Sequence, residues 1–245
     1  VATLIASLGF AASASAAPTL LPAPTGQYKV GERTVFLPDP ARSNRQVQAQ
    51  VWYPTTATTG TLARYISQNV TNDQNISLAL TNGFEGRSCY AFFGSVTCFG
   101  APLANTMYPR INQRDTHAFV NAPIRTDLGK LPIIAFSPGF GVPSYFYASV
   151  AEDLASNGYI VVTTSVTNES VANEVSNGVA RQNVSGPTQA AFNTRIADYR
   201  FVINKLSTLP NGIGAQADLT RIGGGGHSWG SYTSMEAAYS DPRIK

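Results

Sequence analysis

The chain has 245 residues, 43% of them apolar and 13% charged, with a formal net charge of +3. That is enough apolar chain for one sizeable domain rather than two. The small positive excess is scattered and includes no Lys/Arg run, which excludes a nucleic-acid binder built on basic patches.

Residues 1–12 are small, apolar and uncharged, and Ala14-Ser15-Ala16 stands before Ala17-Pro18. This reads as a secretory signal peptide over residues 1–16 that has lost its Met and basic start; the alternative is an apolar, disordered tail. The apolar run is too short to span a membrane. Residues 17–25 read as a Pro-rich linker. Two strands follow, Gln27 to Leu37 and Gln46 to Tyr53, with Asp39-Pro40 turning between them. In the second, Val47, Ala49 and Val51 alternate with Gln46, Gln48 and Gln50, the period of a half-buried strand.

Residues 55–129 have weak periodicity and many Thr, Asn and Gly, and read as a partly helical cap or lid. The segment holds both cysteines of the chain, Cys89 and Cys98, nine positions apart. In an oxidising compartment they could close a small loop that stabilises by about 2–3 kcal/mol; the alternative is two unpaired buried thiols. Four Asn-x-Ser/Thr sequons, at Asn69, Asn75, Asn168 and Asn183, lie in polar stretches, as surface loops of a secreted protein would.

An apolar run from Leu131 to Phe136 reads as a fully buried strand, and the loop Gly139-Phe140-Gly141 follows it. A helix from about Ser144 to Ser156 stops at Asn157-Gly158, before another apolar strand over Tyr159 to Val162. Residues 163–187 are polar and read as a long surface loop. Thr188 to Leu209 reads as an amphipathic helix, with Phe192, Ile196, Tyr199, Val202, Ile203 and Leu206 on one face. Asp198, near Arg195 and Arg200, reads as part of an ion pair on that helix's surface.

Leu219 to Ile222 starts a short strand, and Gly226-His227-Ser228-Trp229-Gly230 follows. With a helix over Ser231 to Tyr239 this fits the Gly-x-Ser-x-Gly nucleophile elbow, in which a sharp strand-to-helix turn presents a Ser hydroxyl where a helix dipole favours negative charge. Gly226 and Gly230 would let strand and helix approach. Neither histidine of the chain, His117 or His227, has metal-ligand spacing with a His, Cys or Asp cluster. A structural or lid role suits His117, and His227 is expected to point away from the Ser228 hydroxyl. Asp241 sits on a terminal turn.

Several collinear segments together resemble the secreted and plasma-type platelet-activating factor acetylhydrolase family. They are Gly26 to Val35, Val47 to Pro54, Thr116 to Pro123, Leu131 to Gly141, Leu154 to Val162, Arg195 to Val202 and the elbow, spanning about residues 26–245. The resemblance implies an α/β-hydrolase fold over residues 26–245, a mostly parallel central sheet flanked by helices, incomplete at its C-terminal end. It implies hydrolysis of short acyl esters, typically the sn-2 acetyl group of a phospholipid, without calcium or another cofactor. Carried onto this chain, it makes Ser228 the nucleophile and the backbone N–H groups of Phe140 and Trp229 the oxyanion hole. Its Asp and His would lie beyond Lys245, so the chain alone is expected to be inactive. The expected partners are an ester or phospholipid substrate and the surface of lipid aggregates, with no nucleic acid. Where that family usually has Ser-His-Gly, this chain has Ser137-Pro138-Gly139, and Thr163-Thr164 stands in place of an Asp-His pair. Other secreted esterases, cutinase-like or polyester-cleaving, and a non-catalytic lipid-binding protein on the same fold are the alternatives.

Overall fold

The computed structural model describes residues 21–67, 69–70, 114–181 and 186–245, and the backbone of Tyr90–Phe92 and Ser95–Thr97. In chain order the strands are β1 (Lys29–Asp39), β2 (Arg45–Thr55), β3 (Leu62–Arg64), β4 (Tyr90–Phe92), β5 (Ser95–Thr97), β6 (Asp115–Val120), β7 (Leu131–Ser137), β8 (Ile160–Ser165), β9 (Ala172–Val175), β10 (Gly178–Arg181) and β11 (Ala217–Gly226). The helices are α1 (Ala148–Ser156), α2 (Gln189–Lys205), α3 (Ile213–Gln216) and α4 (Trp229–Ser240).

Seven strands form one sheet in the order β11-β7-β8-β2-β1-β6-β3. β11, β7, β8, β1 and β6 run one way, and β2 and β3 run against them. The sheet begins as a hairpin whose register runs from Lys29 opposite Thr55 to Asp39 opposite Arg45. Its turn is set locally: Asp39 accepts the Ala41 N–H at 3.1 Å, Pro40 opens a 3-10 turn, and Ser43 and Asn44 take left-handed φ of 53° and 55°.

Helices cover both faces. On one, Val47, Ala49, Val51, Ile133, Ala135 and Val162 pack against Tyr199, Val202, Ile203 and Leu206 of α2 and its extension, and against Ala237 of α4. On the other, Val30, Trp52, Ala118 and Val161 pack against Ala148, Ala151 and Ala155 of α1. The two burials change the reading of β2. It is buried from Val47 to Thr55, Gln48 and Gln50 included, because it lies between β8 and β1 under helices on both sides. Gln50 has a partner there, accepting the Ser144 hydroxyl at 2.7 Å. β7 differs in the opposite sense: its buried residues alternate with half-buried Pro132, Ile134 and Phe136.

Residues 163–181 do not form a surface loop, and 182–185 lie outside the described residues. Thr163, Thr164 and Ser165 complete β8, a buried turn carries Val166, Thr167, Glu169 and Ser170, and β9 and β10 pair as a hairpin. Some of the polar side chains that suggested solvent find internal partners, as the Thr167 hydroxyl donates to the Gln46 carbonyl at 2.5 Å, whereas the buried hydroxyls of Thr163 and Thr164 have none among the described residues. The ends of the 55–129 segment join the main sheet as β3 and β6, and most of the expected lid, with Cys89 and Cys98, lies outside the described residues.

Candidate active site

β11 delivers the elbow. Its four terminal glycines lie alongside Ile134 to Ser137 of β7, and at Gly224 and Gly226 a side chain would not fit. A Cβ at Gly224 would come within 2.7 Å of Ile244, one at Gly226 would collide with the Gly230 carbonyl group, and one at Gly230 with the Ser137 carbonyl oxygen. Gly224 and Gly226 of the run, together with Gly230, therefore permit three close approaches. Ser228 caps α4 with φ 53° and ψ −123°, a region that L-residues rarely adopt and that costs about 1–3 kcal/mol. Its side chain is exposed at the helix N-terminus.

The loop after β7 faces this turn. The Ser137 carbonyl accepts the His227 N–H at 3.2 Å, and the Phe140 ring stands edge-on to Trp229, 5.3 Å between centroids. Phe192 of α2 closes on the other side of Trp229 at 5.4 Å. Gly139 donates its N–H to the Tyr147 hydroxyl at 3.1 Å, and Gly141, at φ 74°, accepts the Val171 N–H at 2.9 Å. Every loop residue around Phe140 is thus tied to protein. Among the described residues, the N–H groups of Phe140 and Trp229 themselves have no protein acceptor.

His227 is committed elsewhere: its Nδ1 lies 2.9 Å from the Tyr147 hydroxyl. His117 is on β6, against the buried Glu152, which accepts the His117 backbone N–H at 2.6 Å. Burial pushes the Glu152 carboxyl above its ordinary value.

Beneath the loop lies a network that the sequence did not disclose. Arg195 is buried with its guanidinium between Glu169, Thr233 of α4, the Ser137 hydroxyl and the Pro138 carbonyl. Burial pushes Glu169 up to about 7 despite the adjacent guanidinium. Asp198 is also buried, and its partners are Arg42 and Arg45, each with a bond of 2.7 Å, rather than Arg195 or Arg200. Arg195, Asp198, Tyr199, Val202 and Ile203 all lie on the buried face of α2, of which the sequence showed only the apolar members.

Of the sequons, Asn69 is exposed and Asn168 half-buried; Asn75 and Asn183 lie outside the described residues. A cavity of about 350 Å³ lined by Glu32, Gln50, Trp52, Tyr65 and Glu174 shares no residue with the elbow or the loop facing it. Among the described residues no cluster of His, Cys, Asp and Glu could hold a metal ion, and no helix is long and apolar enough to cross a membrane.

The strand order, the helices on both faces and the strand–Ser–helix turn define an α/β-hydrolase, and its relatives are hydrolases of ester bonds. Residues 13–183 match the family described as platelet-activating factor acetylhydrolase, isoform II, and the chain belongs to that family. The match includes the Gly139-Phe140-Gly141 loop and ends before the elbow. A "probable 1-alkyl-2-acetylglycerophosphocholine esterase" of Arthroderma benhamiae is 31% identical over 121 residues, 46% of this chain and 29% of the relative. A ferulic acid esterase from Streptomyces cinnamoneus superposes with a TM-score of 0.69 at 25% identity, over 93% of this chain and 60% of that one. The chain thus aligns with less than two thirds of either relative's length.

Proposed function

We propose that the protein is a secreted serine esterase acting on short acyl esters of phospholipids through an acyl-enzyme. Ser228 is the nucleophile, and its attack on the ester carbonyl places the oxyanion between the N–H groups of Phe140 and Trp229. Each donor of this kind stabilises the transition state by ~3–4 kcal/mol. The observation that carries the reading is the Ser228 backbone, held at φ 53° and ψ −123° between two glycines and opposite the Phe140 loop. A backbone outlier of that size at an exposed Ser is what presentation of a nucleophile demands. A His taking the Ser228 proton and an acid orienting it complete the reaction; His227 turns its Nδ1 to the Tyr147 hydroxyl, and His117 lies on β6 against Glu152.

The test uses the full-length protein with an acetyl-phospholipid and a fluorophosphonate. Wild type should turn over the lipid and be labelled at Ser228, and Ser228→Ala should lose both. Equal hydrolysis by the variant rejects the nucleophile, and an unlabelled wild type would favour a non-catalytic binding protein.

A second reading has its own support. Phe140, Trp229 and Phe192 form an aromatic cluster beside Ser228, and one structural neighbour is a ferulic acid esterase. Such rings suit a substrate with an aromatic acyl group. The ratio of kcat/KM for a feruloyl ester and an acetyl-phospholipid separates the two. Secretion rests on the Ala14-Ser15-Ala16 pattern and the sequons, and a mobility shift on deglycosylation of the natural protein tests it.

A further inference from the structure

We infer that Arg195 is a positioning residue that sets both halves of the oxyanion hole at once; this rests on the reading of Ser228, Phe140 and Trp229 given above. The guanidinium reaches each proposed donor from behind. On the Phe140 side, its Nη2 donates to the Pro138 carbonyl and, at 3.2 Å, to the Ser137 hydroxyl. Its Nη1 donates to Glu169, two residues before Val171, whose N–H donates to the Gly141 carbonyl at 2.9 Å. Phe140 is therefore flanked in the chain by Pro138, bound to the guanidinium directly, and by Gly141, bound to the turn that Glu169 anchors. On the Trp229 side, Arg195 Nε donates to the Thr233 hydroxyl at 3.1 Å, and that hydroxyl donates to the Trp229 carbonyl at 2.8 Å. The peptide groups adjoining those that carry the two N–H donors thus share one rigid, planar anchor.

The arrangement fits what only Arg can supply. A fork with fixed donor directions can satisfy acceptors on three separate backbone segments, whereas an ammonium is a point charge on a flexible stem. All three side chains of the relay are buried, with Arg195 at 1%, Glu169 at 2% and Thr233 at 0% exposure, so water cannot replace a missing contact. Arg195 touches neither substrate nor reacting atoms in this arrangement. It fixes where the oxyanion donors point, and donors help only when aimed at the position the oxyanion will take.

The experiment compares wild type, Arg195→Lys, Glu169→Gln and Thr233→Val in the full-length protein. Readouts are kcat, KM, thermal midpoint and the affinity for a trifluoromethyl ketone, which forms a tetrahedral adduct with the nucleophile. A non-reactive ether analogue of the substrate reports ground-state binding. Folded Arg195→Lys should lose about 100-fold in kcat, the scale of a misplacement of about 1 Å. Ketone affinity should fall in parallel, with KM and ether affinity changing less than about threefold. A merely structural role would lower the folded fraction and the midpoint but leave ketone affinity per folded molecule intact, and that result overturns the inference. So does a folded Arg195→Lys with kcat and ketone affinity unchanged. If Arg195→Lys does not fold, a parallel loss of kcat and ketone affinity in either folded partner variant supports the inference, and wild-type values in both reject it. Failure of all three to fold also rejects it, since the network would then be a folding requirement. If wild type does not hydrolyse esters, or Ser228→Ala does so equally, the functional reading has failed and the inference falls with it; an active wild type with unaffected Arg195→Lys sinks the inference alone.

Discussion

Gly230 has no space for even one carbon, because a Cβ there would collide with the carbonyl oxygens of Ser137 and Pro138. Those are backbone atoms of the loop that carries Phe140, so relief means moving either that loop or α4. Gly230→Ala is therefore expected to lower stability by about 3 kcal/mol or more, the upper range of overpacking. The same substitution should abolish fluorophosphonate labelling in whatever folds; denaturant melts together with labelling check both. The glycines and Ser228 were legible because such a turn dictates its residue types at fixed local spacing. Arg195 was not. A charged residue on a helix is ordinarily solvated, and nothing near it in the sequence announces that Pro138, Glu169 and Thr233 surround it.

α2 shows the same division at the scale of an element. Its start could be read from Thr188, whose side chain accepts the Ala191 N–H, and its end from the Pro210-Asn211-Gly212 turn that follows the Leu206–Thr208 extension. Its buried face could be read only for the apolar residues. Asp198 binds Arg42 and Arg45, more than 150 residues away in sequence, and so ties the β1–β2 turn to the helix. Asp198→Asn would leave two guanidinium groups beside a neutral amide. The expected loss is about 2–4 kcal/mol, somewhat below that of a fully dry pair because both Arg side chains are partly exposed. Chemical denaturation should show this as a lower midpoint with an unchanged slope.

Across the whole molecule, buried acids give stability a particular pH dependence. Burial raises Glu32 from 4.5 to about 7, with the Thr34 hydroxyl donating to it at 3.0 Å. Between those values the folded protein keeps a proton that the unfolded chain has released, so this group's contribution falls as pH rises through that window. Above about pH 7 the full cost of the buried charge is present. Glu32→Gln is expected to exceed the parent in stability by about 1–3 kcal/mol at about pH 8 and by much less at about pH 5. Equal differences at both values in paired urea melts would contradict it. The layered fold was legible from alternating apolar strands and helices. The mostly buried stretch from Thr163 to Glu174 was not, since Thr, Asn, Ser and Glu look solvated until a tertiary partner is known.

The chain has two tryptophans, and the fold separates their surroundings sharply. Trp52 is sealed in the core at 1% exposure, whereas Trp229 is half-buried between Phe140 and Phe192, next in sequence to Ser228. With Trp52 replaced by Phe, the remaining indole becomes the single tryptophan of the chain, built into the turn itself and excited apart from the tyrosines at the red edge of absorption. Arrival of an acyl group would register in its emission, so occupancy of Ser228 could be followed optically without attaching a dye.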